Sequence, residues 1–192
     1  MAIVINGSGT VTGLAVGGLP DGTVDAGTLA TNSVDSAELV DGSIDTAHIG
    51  TDQITSAILP AGSVLQVVEG SYSTQTDVSS TSYADSGLSV AITPSSSSSK
   101  IYATININAY NNGTGFIGFN ICRGSTQIVE ASKVHGYSDN EAQMVVLTKL
   151  DSPSTTSATT YKVQMKTTGF TGTARINQMT GGSRIILMEI AG

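Results

Sequence analysis

The stretch Lys100-Ile101-Tyr102-Ala103-Thr104-Ile105-Asn106-Ile107-Asn108-Ala109 sets Ile101, Ala103, Ile105 and Ile107 on one side of the chain. Tyr102, Thr104, Asn106 and Asn108 fall on the other. A period of two is that of a strand with one face in a core and the other turned outward. The same alternation recurs in Ile117, Phe119 and Ile121, and in Tyr161, Val163 and Met165 set against Lys162, Gln164 and Lys166. Apolar or β-branched runs at 63–68, 87–92, 126–129, 143–149, 173–179 and 184–190 predict further strands. Turn-forming residues separate them: Pro94 with the serines to Ser99, Asn111-Asn112-Gly113, Asp151-Ser152-Pro153, and Gly181-Gly182. No segment carries a helical period. Some nine short strands, roughly one per 14 residues over 63–192, predict a mainly β fold whose C-terminal head is a β-sandwich of jelly-roll type. Ile185-Ile186-Leu187-Met188 is apolar on both faces, which predicts a central strand covered on its second side by a neighbouring subunit.

Upstream of the head the pattern changes. Residues 23–62 divide into four ten-residue units, TVDAGTLATN, SVDSAELVDG, SIDTAHIGTD and QITSAILPAG. Val24, Val34, Ile44 and Ile54 open the units, and Leu29, Leu39, Ile49 and Leu59 follow five residues later, so a large aliphatic side chain recurs every five residues. That spacing suits neither regular element: it steps about 140° around a helix and alternates faces on a strand. The unit therefore mixes a very short strand with one turn of helix ended by Gly or Asn. Asp25, Asp35 or Asp45 stands where a helix N-cap would be, with Glu38 at the reciprocal capping position in one unit. Ordering each backbone residue costs about 1–2 kcal/mol, whereas burying one Val or Leu returns only about 1.5–3 kcal/mol. Two aliphatics per ten residues thus cannot order the segment alone. Parallel copies around an axis would pool them, and a homotrimeric shaft over 23–62 is expected, with those eight residues packed at the trimer axis. Residues 1–22 hold two β-prone pieces around Gly7-Ser8-Gly9 and read as a strand or small hairpin suited to docking on another protein.

Composition narrows the function. Charged residues are 12% of the chain against a usual quarter or so, aromatics are 5%, and Trp is absent. The net charge is −7, and the eight basic residues are scattered from Lys100 onward, so nucleic acid is not an expected partner. Cys122 is the single cysteine, so the fold must hold without a disulfide within the chain. The opening residues Met1 to Asn6 lack a basic side chain and their apolar run is short, so neither a secretory leader nor membrane insertion is expected.

Catalytic chemistry finds little support. Gly7-Ser8-Gly9 with Gly13 lacks dinucleotide spacing, and no Gly-Lys-Ser/Thr of a phosphate loop is present. His48 occupies a repeat position taken by Thr28, Glu38 or Ile58 elsewhere, which reads as a surface or axis-lining residue; three copies around an axis would be needed for a metal site. The acids of the head, Glu69, Asp77, Asp85, Glu130, Asp139, Glu141, Asp151 and Glu189, show no pairing in sequence. No catalytic residue, metal site or cofactor is expected. If the head contacts a host glycan or protein, the contacts are expected in its longest loops, with Tyr110, Asn111 and Asn112 as candidates in one and His135, Tyr137 and Asn140 in another, where aromatic and amide groups can stack and hydrogen-bond.

The decapeptides SVDSAELVDG and SIDTAHIG, the opening GTVTGLAVGGLPDGTV, and the head passages GSVLQVV, STSYADSGLSVAITPSSSSSKI and GGSRIILMEI resemble tail-fibre and related virion appendage proteins of tailed bacteriophages, notably marine ones. The likeness spans nearly the whole chain. It implies a parallel homotrimer at the virion surface, made in the host cytoplasm. The N-terminal segment would be held by other virion proteins and the head turned toward the host for attachment. The chain is shorter than typical long fibres, which leaves open a main receptor-binding fibre or an accessory one on tail or capsid. A capsid-decoration or architectural protein without receptor binding is the alternative of a different class. A depolymerising tailspike is a third reading, and the short chain argues against it.

Overall fold

A computed structural model describes residues 34, 39, 41–51, 53–55, 57–135, 141–169, 172–178 and 180–192. The chain divides into two compact units, Met1–Gln53 and Ile54–Gly192. The described part is mainly β, with ten strands and, among the described residues, no helix.

The strands are β1 (Val64–Tyr72), β2 (Thr76–Val78), β3 (Ala84–Ile92), β4 (Lys100–Asn112), β5 (Phe116–Arg123), β6 (Thr126–His135), β7 (Glu141–Asp151), β8 (Thr159–Thr168), β9 (Thr173–Ile176) and β10 (Ser183–Ile190). All pair antiparallel in two sheets. The first sheet is organised by β4, the long alternating strand. β7 runs along one edge of β4 from Ile101 to Asn111, while β10 takes Lys100 to Asn106 and β9 takes Ala109 to Asn112 on the other edge. β1 lies outside β10, and β2 outside β9. The second sheet has the order β3-β8-β5-β6.

Alternation explains how the sheets meet. Ile101, Ala103, Ile105, Ile107 and Ala109 of β4 have no exposed surface, and Ile185 and Leu187 of β10 lie beside them. They form one core with Leu88 and Ile92 of β3, Ile117, Phe119 and Ile121 of β5, and Tyr161, Val163 and Met165 of β8. Two sheets closing on one dry layer make the unit sandwich-like.

β1/β2 and β9/β10 are interrupted at the same level, and Asn177 holds the break together. Its backbone is left-handed, at φ 61°, a conformation asparagine tolerates better than other non-glycine residues. Its N–H donates to Asn108 O (2.8 Å) and its side-chain amide to Thr74 O (3.0 Å), while its Oδ1 accepts from Ser183 Oγ (2.7 Å). A second irregularity lies in β3, where the register with β8 shifts between Asp85 and Ser89. Gly87 sits there at φ 92°, and a Cβ at that position would run into the Tyr72 ring. At one end of the sandwich, Asp151 Oδ2 accepts from Arg123 (2.8 Å) and from the Tyr161 hydroxyl (2.7 Å), tying β7, β5 and β8 together. Burial, followed by the Asp151 hydrogen bond, pushes the Tyr161 phenol well above its usual value.

Candidate functional site

The repeat has a local backbone period that matches its sequence. His48 N donates to Asp45 O (3.1 Å), Gln53 N to Gly50 O (3.3 Å), Ile58 N to Thr55 O (3.0 Å) and Ser63 N to Pro60 O (3.1 Å). The acceptors recur every five residues, and each directly follows an aliphatic of the repeat: Ile44, Ile49, Ile54 or Leu59. The element is a chain of i to i+3 turns. Where the sequence predicts one helical turn after Asp45, the bond from His48 closes a single turn instead. Asp45 caps it, its Oδ1 accepting from Ala47 N (2.9 Å) and lying 2.8 Å from His48 Nδ1.

Turns place their aliphatics outward. Val34, Leu39, Ile44, Ile49 and Ile54 are exposed, with Ile44 at 50% and Ile54 at 52%. Val24 and Leu29 lie outside the described residues. Leu59 is half-buried; with Ala57, Leu65, Ala191 and a rim of serines it lines a cleft of about 360 Å³ at the base of the β unit. There the chain enters and leaves side by side, Gly62 N bonding Ala191 O and Ala191 N bonding Ser63 O, both at 2.8 Å. Glu189, wholly buried beside this point, accepts from Gln66 Nε2 (2.6 Å) and from Ser95 N and Oγ (both 2.7 Å). Burial alone would raise its pKa, but these hydrogen bonds, that from Gln66 foremost, outweigh it and hold the pKa below the ordinary value.

The two outward sheet faces differ in chemistry. On the second sheet, polar groups are tied to one another. Asp85 accepts from Lys162 Nζ (2.8 Å) and Gln164 Nε2 (2.7 Å), and the Lys162 bond is the main reason its pKa lies low. Asn120 donates to Gln127 (2.9 Å) and Gln164 (3.3 Å), and Cys122 Sγ donates to Gln164 Oε1 (3.3 Å). Burial raises the Cys122 thiol pKa. Glu130 accepts from Tyr83 (3.0 Å) and Lys166 (3.3 Å), and the Lys166 ammonium sits 4.2 Å from the centre of the Tyr83 ring. The Tyr83 bond and then the Lys166 bond hold the Glu130 pKa low.

The outward face of the first sheet is aliphatic instead. The register aligns Val67, Met188, Tyr102 and Leu150 in one row across β1, β10, β4 and β7. Val67 is 58% exposed and Leu150 50%, and Val146 and Met144 of β7 lie exposed on the same face, Met144 at 57%. Val64, Val67, Tyr102, Met144, Val146 and Leu150, the exposed large apolar residues among those described in residues 63–192, all belong to this sheet.

The residues expected to contact a host are distributed differently from the sequence reading. Tyr110, Asn111 and Asn112 are not a loop; they continue β4, because pairing with β7 and β9 extends the strand past the point where Asn-Asn-Gly suggests a turn. Asn111 is fully buried and donates to Gly115 O (3.4 Å), so it has no surface to offer a partner. Tyr110 is half-exposed beneath Arg175, whose guanidinium carbon is 5.7 Å from the ring centre. Arg175 in turn forms a two-pronged pair with Asp77, at 2.5 and 2.9 Å. His135 closes β6, paired with Ile117. Tyr137 and Asn140 lie outside the described residues.

Each described acidic side chain of the head has a basic or hydrogen-bonding neighbour: Asp77, Asp85, Glu130, Asp151 and Glu189 as above, and Glu69 at 3.7 Å from Arg184. Among the described residues, no three His, Cys, Asp or Glu side chains converge as a metal site. No protein-family model and no curated protein matches the chain. Among solved structures, dimeric latent PorU from Porphyromonas gingivalis aligns over 69% of this chain and 14% of its own, at 9% identity and a TM-score of 0.30, a likeness too slight to carry an argument.

Proposed function

We propose that the chain is a structural protein of a bacteriophage virion, a homotrimeric fibre or spike whose repeat spaces a β head from the particle and whose head meets the host surface. The observation that carries this reading is the five-residue phase shared by the turns and the exposed aliphatics of the repeat. Such a series leaves its apolar side chains in water unless other chains cover them, and monomeric proteins rarely display large contiguous apolar surface. Three parallel copies would cover one another's apolar side chains.

The head is read as a jelly roll. Taking β1 with β2, and β9 with β10, as two interrupted strands makes each sheet four strands wide. The chain then alternates between sheets except at the β5–β6 hairpin, which supports that topology. An enzymatic role is not proposed, since the described acids are engaged with cations or donors rather than facing one another across a cleft.

Imaging of particles labelled with antibody against the head tests the assignment. Label on projections from the tail supports the fibre reading. Even label over the shell favours the capsid-decoration alternative, and particles without label would overturn both.

A further inference from the structure

We infer that the outward face of the first sheet is where the heads of separate copies pack together, so that the partner of this face is a second copy of the same chain. The inference deepens the self-assembling reading above and rests on it.

Its first support is phase. Ile54 and Leu59 are followed, again at five residues, by Val64, the first residue of β1, which is exposed and paired with Ile190. The spacing that governs the repeat therefore carries directly onto this face. Copies aligned through the repeat would bring their Val64 side chains, and the sheet face behind them, toward the same axis.

Charge gives the second support. The chain carries −7, so its copies repel in bulk. On this face Glu69 lies 3.7 Å from Arg184 and Asp77 is paired with Arg175, Lys100 stands at one end, and the row from Val67 to Leu150 carries no charge. What sets this face apart from the second sheet's is that uncharged row, so an acidic protein can present it to its own copies without bringing charge against charge at its centre.

Area fixes the relation to the repeat. Four strands about 4.8 Å apart, and the span from Lys100 to Asn108 at about 3.4 Å per residue, give a footprint of roughly 400 Å². A stable association needs about 800 Å² per partner. The sheet face supplies about half of that, so it works jointly with the repeat rather than alone.

Hydroxyl-radical footprinting of the full chain, read by mass spectrometry at Tyr102 and Met144, tests the inference. Both should be modified about tenfold more slowly than in short peptides of the same sequence, because cover by a neighbouring copy removes the access that exposed methionine otherwise has. In the V67E/L150E double variant, whose substituted side chains are half-exposed, the rates should rise toward the peptide values. An oligomer whose Tyr102 and Met144 react at peptide rates would overturn the inference and leave the repeat-driven assembly in place. A monomer would overturn both. The wild-type rates decide the matter even if the variant does not fold.

Discussion

Replacing Glu189 probes how the base of the head is held. The carboxylate is wholly buried and accepts three hydrogen bonds, from Gln66 Nε2, Ser95 N and Ser95 Oγ. A hydrogen bond to a charged group contributes about 1.5–3 kcal/mol, which would suggest a total well above 5 for three. Ser95 is exposed and Gln66 half-buried, however, so their freed donors can turn to water. Glu189→Ala should therefore destabilise the head by about 3 kcal/mol, and Glu189→Gln, which keeps one acceptor oxygen, by about 1–2 kcal/mol. Urea unfolding followed by far-UV circular dichroism measures this, at one fixed protein concentration because self-association makes stability depend on it. The pH dependence supplies a sharper check. Because the folded pKa of Glu189 lies below its unfolded value, its stabilisation is complete above about pH 4.3 and disappears as pH falls through the folded value. The gap between wild type and Glu189→Gln should stay constant from about pH 7 down to about pH 5 and shrink only below about pH 4.3, while Asp77, Asp85 and Glu130, also held low, titrate alike in both proteins. A loss below about 1 kcal/mol for Glu189→Ala, or a gap that does not change with pH, would refute this reasoning.

Gly87→Ala places a Cβ against the Tyr72 ring at a positive φ, and a loss of at least about 2 kcal/mol is expected in the same unfolding assay. An unchanged midpoint would mean that β3 relaxes at its register shift. Asp151→Ala should cost about 2–3 kcal/mol, because it leaves the buried Tyr161 hydroxyl without an acceptor while Arg123, partly exposed, keeps Ser152 O. Asp151→Asn, which keeps an oxygen for Tyr161, should cost less.

Strict alternation makes the buried face of a strand legible in the sequence. Ile101, Ala103, Ile105 and Ile107 are all fully buried, as are Tyr161, Val163 and Met165, because a period of two leaves one choice of face once a core exists. β2 was missed: three residues, Thr76 to Val78, are too few to show a period, and the strand depends on pairing with β9. Asn111-Asn112-Gly113 is turn chemistry and suggests a loop from Tyr110 on, whereas β7 and β9 on either side keep Tyr110 to Asn112 extended. The second apolar face of Ile186 and Met188 was visible in the sequence. The row it completes with Val67, Tyr102 and Leu150 was not, since that row exists only once strand order and register are known. In the repeat, the five-residue spacing was plain but its conformation was not; a succession of single turns, not a helical turn, satisfies it.

Sedimentation equilibrium of the full chain, paired with amide exchange at His48 and Ile58, addresses the proposed assembly most directly. Three times the 19.5 kDa chain mass is expected, with both amides protected, and Ile44→Asp with Ile49→Asp should lower the mass and release the protection. A species of 19.5 kDa with the same two amides protected would contradict it, because the turns would then be ordered without any other chain.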